Sequence, residues 1–139
     1  MSFILPAERM LTHTDHVRLA RLLAEHGAAL QGADTMQDLL ESSDLVPPRA
    51  VPPAVVTMYT QVLLQDLAGD APPYQLTLCY PRDAEPGSGF VSVLSPVGSA
   101  LLWLQAGDTA RWQGPAGRQG AARILSVLFQ PEASGDYES

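Results

Sequence analysis

The sequence predicts an α+β fold in which a short antiparallel helical hairpin precedes a curved antiparallel sheet wrapped around one helix. Three observations predict it. Apolar residues recur at helical spacing in two short stretches near the amino terminus, a proline-rich segment follows them, and the rest alternates strand-forming runs with Gly, Pro and Asp clusters. The chain of 139 residues suits one core domain with a small appendage. The proline-rich segment VPPRAVPP, Val46 to Pro53, is the natural boundary, because proline lacks the amide donor a helix needs. It divides the chain into residues 1–50 and 51–139, and the second part is expected to fold on its own.

After a loose start through Pro6, Thr14 or Asp15 is expected to cap a first helix with Val17, Leu19, Ala20, Leu22 and Leu23 on its apolar side. Gly27 is its natural stop. The short stretch HGAALQGA, His26 to Ala33, reads as a turn, and Asp34 with Gln37 has the spacing of a capping box for a second helix. Met36, Leu39 and Leu40 then form a stripe toward the first helix. Beyond the prolines, VVTMYTQVLLQDL, YQLTLCY, GFVSVLS, DTARWQ and AARILSVLF are strand candidates, rich in valine, leucine, threonine and aromatics. The ending PEASGDYES is polar, acidic and expected to pack poorly.

One helix is expected among these strands, from about Pro96 to Gln105. Ser95 supplies an N-cap oxygen, Pro96 fits the first helical position, and Gly107 can adopt a left-handed closing conformation. Ala100, Leu101, Leu102, Trp103 and Leu104 point in nearly every direction around such a helix, so a strongly curved sheet must wrap it.

Fifteen acidic residues against eight basic ones give a formal net charge of -7, which disfavours a broad footprint on phosphate backbones. A protein partner is expected rather than sequence-specific nucleic acid. Lysine and asparagine are absent and isoleucine occurs only at Ile4 and Ile124, a pattern that codon usage in a GC-rich genome explains. The single cysteine, Cys79, allows no internal disulfide, and its apolar strand suits a buried thiol rather than a reactive thiolate. No apolar run approaches the roughly 20 residues that a membrane span needs, and a soluble cytoplasmic chain is expected.

The run SPVGSALLWLQAGD resembles the S-P-[VI]-G-x-A-L-L segment that precedes a Gly-Asp turn in the C-terminal domain of the bacterial Gre transcript-cleavage factors. VVTM at Val55 to Met58, the pair Tyr80-Pro81 and the ending QPEASGDY resemble the Rnk family, the regulators of nucleoside diphosphate kinase, more closely still. The resemblance implies an FKBP-like domain behind a short coiled coil. It also implies docking on bacterial RNA polymerase near the secondary channel, where related proteins compete. In Gre factors a long coil carries a D-x-x-E pair to the polymerase active site to help hold magnesium. Here each helix is expected to have only about 11 or 12 residues and to reach roughly 17 Å, about half a Gre-type coil.

A literal D-x-x-E does occur at Asp38 to Glu41, and Asp34 extends it into an acidic stripe. These carboxylates lie inside the second helix rather than at the tip, and two alone make a poor magnesium site. A solvated or polymerase-facing surface is expected. Any ion at the tip would have to recruit Glu25 or Asp34 from its margins. His13 and His16 lack partners for a zinc set, and Ser95 and Ser99 lack a nucleophile elbow. Trp103, Trp112, Tyr80, Phe90 and Phe129 invite a prolyl isomerase pocket, but fold alone does not confer that activity. The loop YPRDAEPGSG, Tyr80 to Gly89, is expected to be exposed. Candidate polymerase contacts are therefore Glu25, Asp34, Asp38 and Glu41 on the hairpin and Arg82, Asp83 and Glu85 in the loop. The expected protein is a non-enzymatic monomer that needs no cofactor and occupies the channel entrance. A divergent cleavage factor using Asp38 and Glu41 is the alternative.

Overall fold

The computed structural model describes residues 10–27, 33–47, 50–113 and 119–135. Strand β1 (Met10–Thr12) leads directly into helix α1 (His13–His26), and helix α2 (Ala33–Ser42) leads into strand β2 (Asp44–Val46). β1 and β2 pair in parallel, with Leu11 opposite Leu45. The first helix is capped by Thr12, not by Thr14 or Asp15: Thr12 is extended, and its hydroxyl accepts the Asp15 N–H at 3.0 Å. The strand pairing sets this earlier start, because it holds Thr12 in the extended conformation that an N-cap requires. Gly27 is the C-cap, as the sequence suggested. Asp34 lies within the first turn of α2 rather than ahead of it, and the Gln37 amide donates forward to Glu41 at 3.0 Å instead of back to a cap. The expected tip, residues 28–32, and the start through Pro6 lie outside the described residues.

Five strands follow: β3 (Gln61–Asp66), β4 (Tyr74–Cys79), β5 (Phe90–Ser92), β6 (Thr109–Gln113) and β7 (Gln119–Phe129). Each lies within one of the five expected runs or overlaps it. Their order is β5-β4-β3-β7-β6. The sheet is mixed rather than wholly antiparallel, because β5 runs parallel to β4, with Leu78 opposite Val91. The intervening segment forms two short 3-10 turns, Pro81–Asp83 and Pro86–Ser88, which carry the chain back to start β5 alongside β4. Register shifts in β7 against β3 bend the sheet, as bulges do. The first half of VVTMYTQVLLQDL is not strand: Val55 makes only an isolated bridge to Gln105, and Tyr59 has a left-handed φ of 64°.

The helix at the centre is shorter than expected. Helix α3 (Pro96–Leu101) has six residues, with Ser95 Oγ accepting the Gly98 N–H at 3.0 Å. It ends at Leu102, whose ψ of 124° leaves the helical region, and Trp103 follows left-handed at φ 68°. Leu102 and Trp103 therefore leave the helical path and are buried in different places. Leu101 and Leu102 join the main core with Val62, Leu64, Leu78 and Ile124, whereas Trp103 packs with Val51 and Val55. One run thus faces several directions without a long helix. Gly107, at φ 97°, closes the following turn rather than the helix. Gly98 is required by close approach: a Cβ there would lie 2.0 Å from the Ser92 carbonyl oxygen.

The main core is continuous across the proline-rich boundary. Leu11, Leu19, Met36 and Leu40 belong to the same buried cluster as Val56, Met58, Tyr80 and Val93. At this junction Asp15 is almost wholly buried and accepts the Met58 N–H at 3.3 Å. Burial is the main reason that its pKa rises from 3.8 to about 6; the Met58 N–H opposes the rise, Glu132 adds to it, and Arg18 and Thr12 oppose it. In the polar ending Ala133 and Gly135 are exposed, as expected, but Pro131 is buried, and the chain just ahead of it is packed. Gln130 is buried and donates to the Pro52 and Val55 carbonyls at 2.9 and 2.6 Å. Thr57 donates to Glu132 at 2.6 Å. Residues 136–139 lie outside the described residues.

Leu101→Ala is expected to lower stability by about 2–5 kcal/mol, and Gly98→Ala by about 1–3 kcal/mol through overpacking. Chemical denaturation measures both. A loss below about 0.5 kcal/mol for Leu101→Ala would contradict its place in the core.

Asp15 also makes stability depend on pH. Its folded pKa lies above the unfolded value, so its contribution is fully present below about pH 4 and declines as pH rises through about 6. The loss is on the order of 3 kcal/mol. Asp15→Asn, which keeps an acceptor without a charge to desolvate, is expected to remove that decline. Denaturation midpoints of both proteins measured from pH 4 to pH 8 (roughly two pH units either side of the shifted pKa) test it, and parallel curves would contradict the assignment.

Candidate functional site

The candidate residues lie on two surfaces. On the helical part, α1 and α2 meet at the ends nearest the small sheet, where the His16 Nε2 lies 3.2 Å from the Leu40 carbonyl oxygen. Met36 and Leu40 turn inward, so α2 presents its remaining side to solvent. Asp34, Asp38 and Glu41 are all exposed there. Their spacing reflects helical periodicity opposite a buried stripe. Glu25 is exposed near the end of α1 and lies 4.0 Å from His26. At 1.5 Å per residue, α1 with 14 residues and α2 with 10 extend roughly 21 and 15 Å. Asp38 and Glu41 sit in the later part of α2, on the side of the helix that runs back toward β2.

The second surface is the loop between β4 and β5. Arg82 is strongly exposed and lies 3.8 Å from Asp83. Asp83 accepts the Tyr59 hydroxyl at 2.6 Å, and the Tyr59 ring meets Tyr80 edge-on with centroids 5.6 Å apart. Burial, then the bond to Asp83 and its charge, pushes the Tyr59 hydroxyl up to about 12, with Arg82 opposing. Tyr59 therefore stays a hydrogen-bond donor at ordinary pH. Glu85 is exposed and bridges Phe90 through paired backbone bonds of 2.8 and 3.2 Å.

Sequence reasoning did not single out Tyr59 or Asp15. The signal for Tyr59 was its place just after VVTM, and its left-handed backbone was not legible there. From sequence Asp15 reads only as a cap, although an acid at the third helical position after a threonine can equally turn away toward a neighbour.

Other candidates occupy structural positions. The Cys79 thiol is buried, and burial followed by the Asp83 charge raises its pKa. The five aromatics do not line one pocket: Trp103 and Tyr80 are buried in separate clusters, Trp112 packs against the main core, and Phe90 and Phe129 are exposed. Among the described residues no three His, Cys, Asp or Glu side chains gather as a metal-binding group. No helix among them is long and apolar enough to cross a membrane.

The motifs that carried the resemblance converge in space. VVTM supplies the Met58 N–H to Asp15 and the Thr57 hydroxyl to Glu132 of the carboxy-terminal motif, and Tyr80 packs beside them. Comparison with known proteins gives the same family as these motifs. Residues 51–129 match the family model described as transcription elongation factor, GreA/GreB, C-term. The regulator of nucleoside diphosphate kinase of Escherichia coli K12 is 36% identical over 110 residues, covering 79% of this chain and 80% of that protein. The transcription elongation factor GreA of Desulfovibrio desulfuricans is 43% identical over 68 residues, which span 48% of this chain and 40% of that protein. A solved transcription elongation factor GreA/GreB from Nitrosomonas europaea superposes with a TM-score of 0.73 at 36% identity, covering 88% of this chain and all of that one. The chain belongs to the Rnk family, the regulators of nucleoside diphosphate kinase, and shares with the Gre elongation factors the domain spanning residues 51–129.

Proposed function

We propose that this chain is a non-enzymatic regulator that binds bacterial RNA polymerase at the entrance of the secondary channel and competes there with Gre-type factors without stimulating RNA cleavage. The proposal keeps the two-part organisation, a short coiled coil over residues 1–50 and an FKBP-like domain over 51–139, in the cytoplasm. One observation carries it: the helices extend only roughly 21 and 15 Å, and Asp38 and Glu41 lie well back along α2. A factor so built can fill a channel mouth but does not carry an acidic pair deep inside. The exposed carboxylates Glu25, Asp34, Asp38 and Glu41 supply one set of contacts. Arg82, Asp83 and Glu85 supply the other, with Tyr59 holding Asp83 in place. Any effect on nucleoside diphosphate kinase then runs through transcription.

In a purified system this protein is expected to displace a Gre-type factor from RNA polymerase and to leave backtracked RNA uncut. Asp38→Ala with Glu41→Ala should weaken polymerase binding by less than about thirtyfold, since exposed charge contacts are worth under about 1 kcal/mol each. Magnesium-dependent cleavage by the unaltered protein, lost in that double variant, would establish the cleavage-factor alternative. Absence of polymerase binding would refute both.

A further inference from the structure

The outer face of the five-stranded sheet carries an uneven charge distribution of which the polymerase contacts include only Glu85. Pairing places Phe90, Thr77, Gln61 and Phe129 in one row across four strands, and the antiparallel bridge adds Glu85 beside Phe90 at its end. The next row is Gln75, Leu63 and Ser126, and the one after is Gln65, Arg123 and Thr109. Arg111, opposite Ala121, completes the far corner. The alternate residues Val62, Leu64, Leu76, Leu78, Ala122 and Ile124 are buried, so these rows face away from the core. Phe90 and Phe129 are 39% and 47% exposed, and the bulged Leu128 beside Phe129 is 44% exposed.

Two cations therefore stand at one corner and one carboxylate at the opposite edge, with an uncharged, partly aromatic surface between. Among the described residues the two ion pairs are His26–Glu25 and Arg82–Asp83, so Arg111, Arg123 and Glu85 are in neither. In a chain with a net charge of -7, no acidic side chain stands in these rows except at that rim.

We propose that this face is a self-complementary contact through which two copies of the chain form a weak symmetric dimer, instead of the expected monomer. A two-fold axis lying between facing sheets brings the Arg111 and Arg123 corner of each copy onto the Glu85 edge of the other. The same rotation sets aromatic surface on aromatic surface near the centre, and the contact is isologous and closes at two copies. Sheets facing each other in this way are an ordinary packing mode. The face measures roughly 24 Å across five strands and 20 Å along them. The area buried is then about 1,000 Å² for both copies, at the lower limit for a specific interface. The expected Kd is on the order of 10–100 μM. A strand of nucleic acid fits less well, because phosphates laid across the face from the arginines would meet Glu85.

Sedimentation equilibrium on the full chain tests the contact, using R111E/R123E and E85R, all at exposed positions. The unaltered chain should dimerise, and each variant alone should dimerise at least about tenfold more weakly. An equimolar mixture should recover dimers containing one copy of each, because both contacts are then oppositely charged. That recovery also excludes misfolding as the cause of the losses. A chain that stays monomeric over this range, variants that dimerise like the unaltered chain, or a mixture that stays monomeric would each overturn the proposal. So would a monomeric chain whose binding of a single-stranded RNA oligonucleotide is lost in R111E/R123E, which would give the face to nucleic acid. None of these readouts involves polymerase.

Discussion

The turn from Val55 to Thr60 is bonded to parts of the chain that lie far apart in sequence. Its Val56 exchanges backbone bonds with Trp103 and Leu104 at 2.7 Å each, and its Tyr59 N–H donates to Leu78 at 2.7 Å. Thr57 reaches Glu132, Gln130 reaches the Val55 carbonyl, and Met58 donates to the buried carboxyl of Asp15. The segment that follows α3, strand β4, the segment that follows β7, and helix α1 are therefore all referred to six residues. Thr57 and Thr60 are fully buried, and their hydroxyls satisfy each other and the Thr57 N–H. A buried turn without such partners would leave costly unpaired backbone groups. The two threonines make this turn tolerable inside the molecule.

Both left-handed aromatic residues belong to this arrangement, but they differ in what compensates the strain. Trp103 is buried, and its contacts with Val51 and Val55 reward the unfavourable backbone. Tyr59 is only half-buried, and its reward comes from the Leu78 carbonyl, the Tyr80 ring and Asp83. Left-handed backbone at such residues persists only where surrounding contacts over-determine it. The loop that bears Arg82, Asp83 and Glu85 is thereby tied to the core rather than left as a free connection.

Asp15 differs from the other carboxylates discussed. Asp34, Asp38 and Glu41 are exposed and keep their water, whereas Asp15 is removed from water where the helical part meets the sheet part. Leu19, Met36 and Leu40 bury apolar surface at the same seam, and this supplies the main attraction. The Asp15 bond adds direction, because a hydrogen bond to one backbone N–H specifies position in a way that apolar contact does not. The acidic surface of α2 is consequently presented by a unit anchored to the domain that carries the family match.

Much of this architecture was legible in the sequence because it depends on local chemistry. Ser95 and Pro96 start α3 wherever it lies, Gly27 ends α1, and five β-rich runs between turn residues become five strands. The motifs identified the family for the same reason, as short stretches that read alike in any context. Tertiary structure decided what depends on distant partners. The Thr12 cap required β1 to pair with β2 across the whole helical unit, and the parallel β5 required the loop to return beside β4. The early end of α3 lies at Leu102, which turns away so that Trp103 reaches Val51 and Val55, and no helix-breaking residue in PVGSALLWLQ marks it. Burial of Asp15 and Gln130 was likewise invisible, since hydrophilic residues go inside only when a donor or acceptor from elsewhere is waiting there. Local propensity sets which elements form, and long-range pairing sets where several of them start and stop and which polar groups they can enclose.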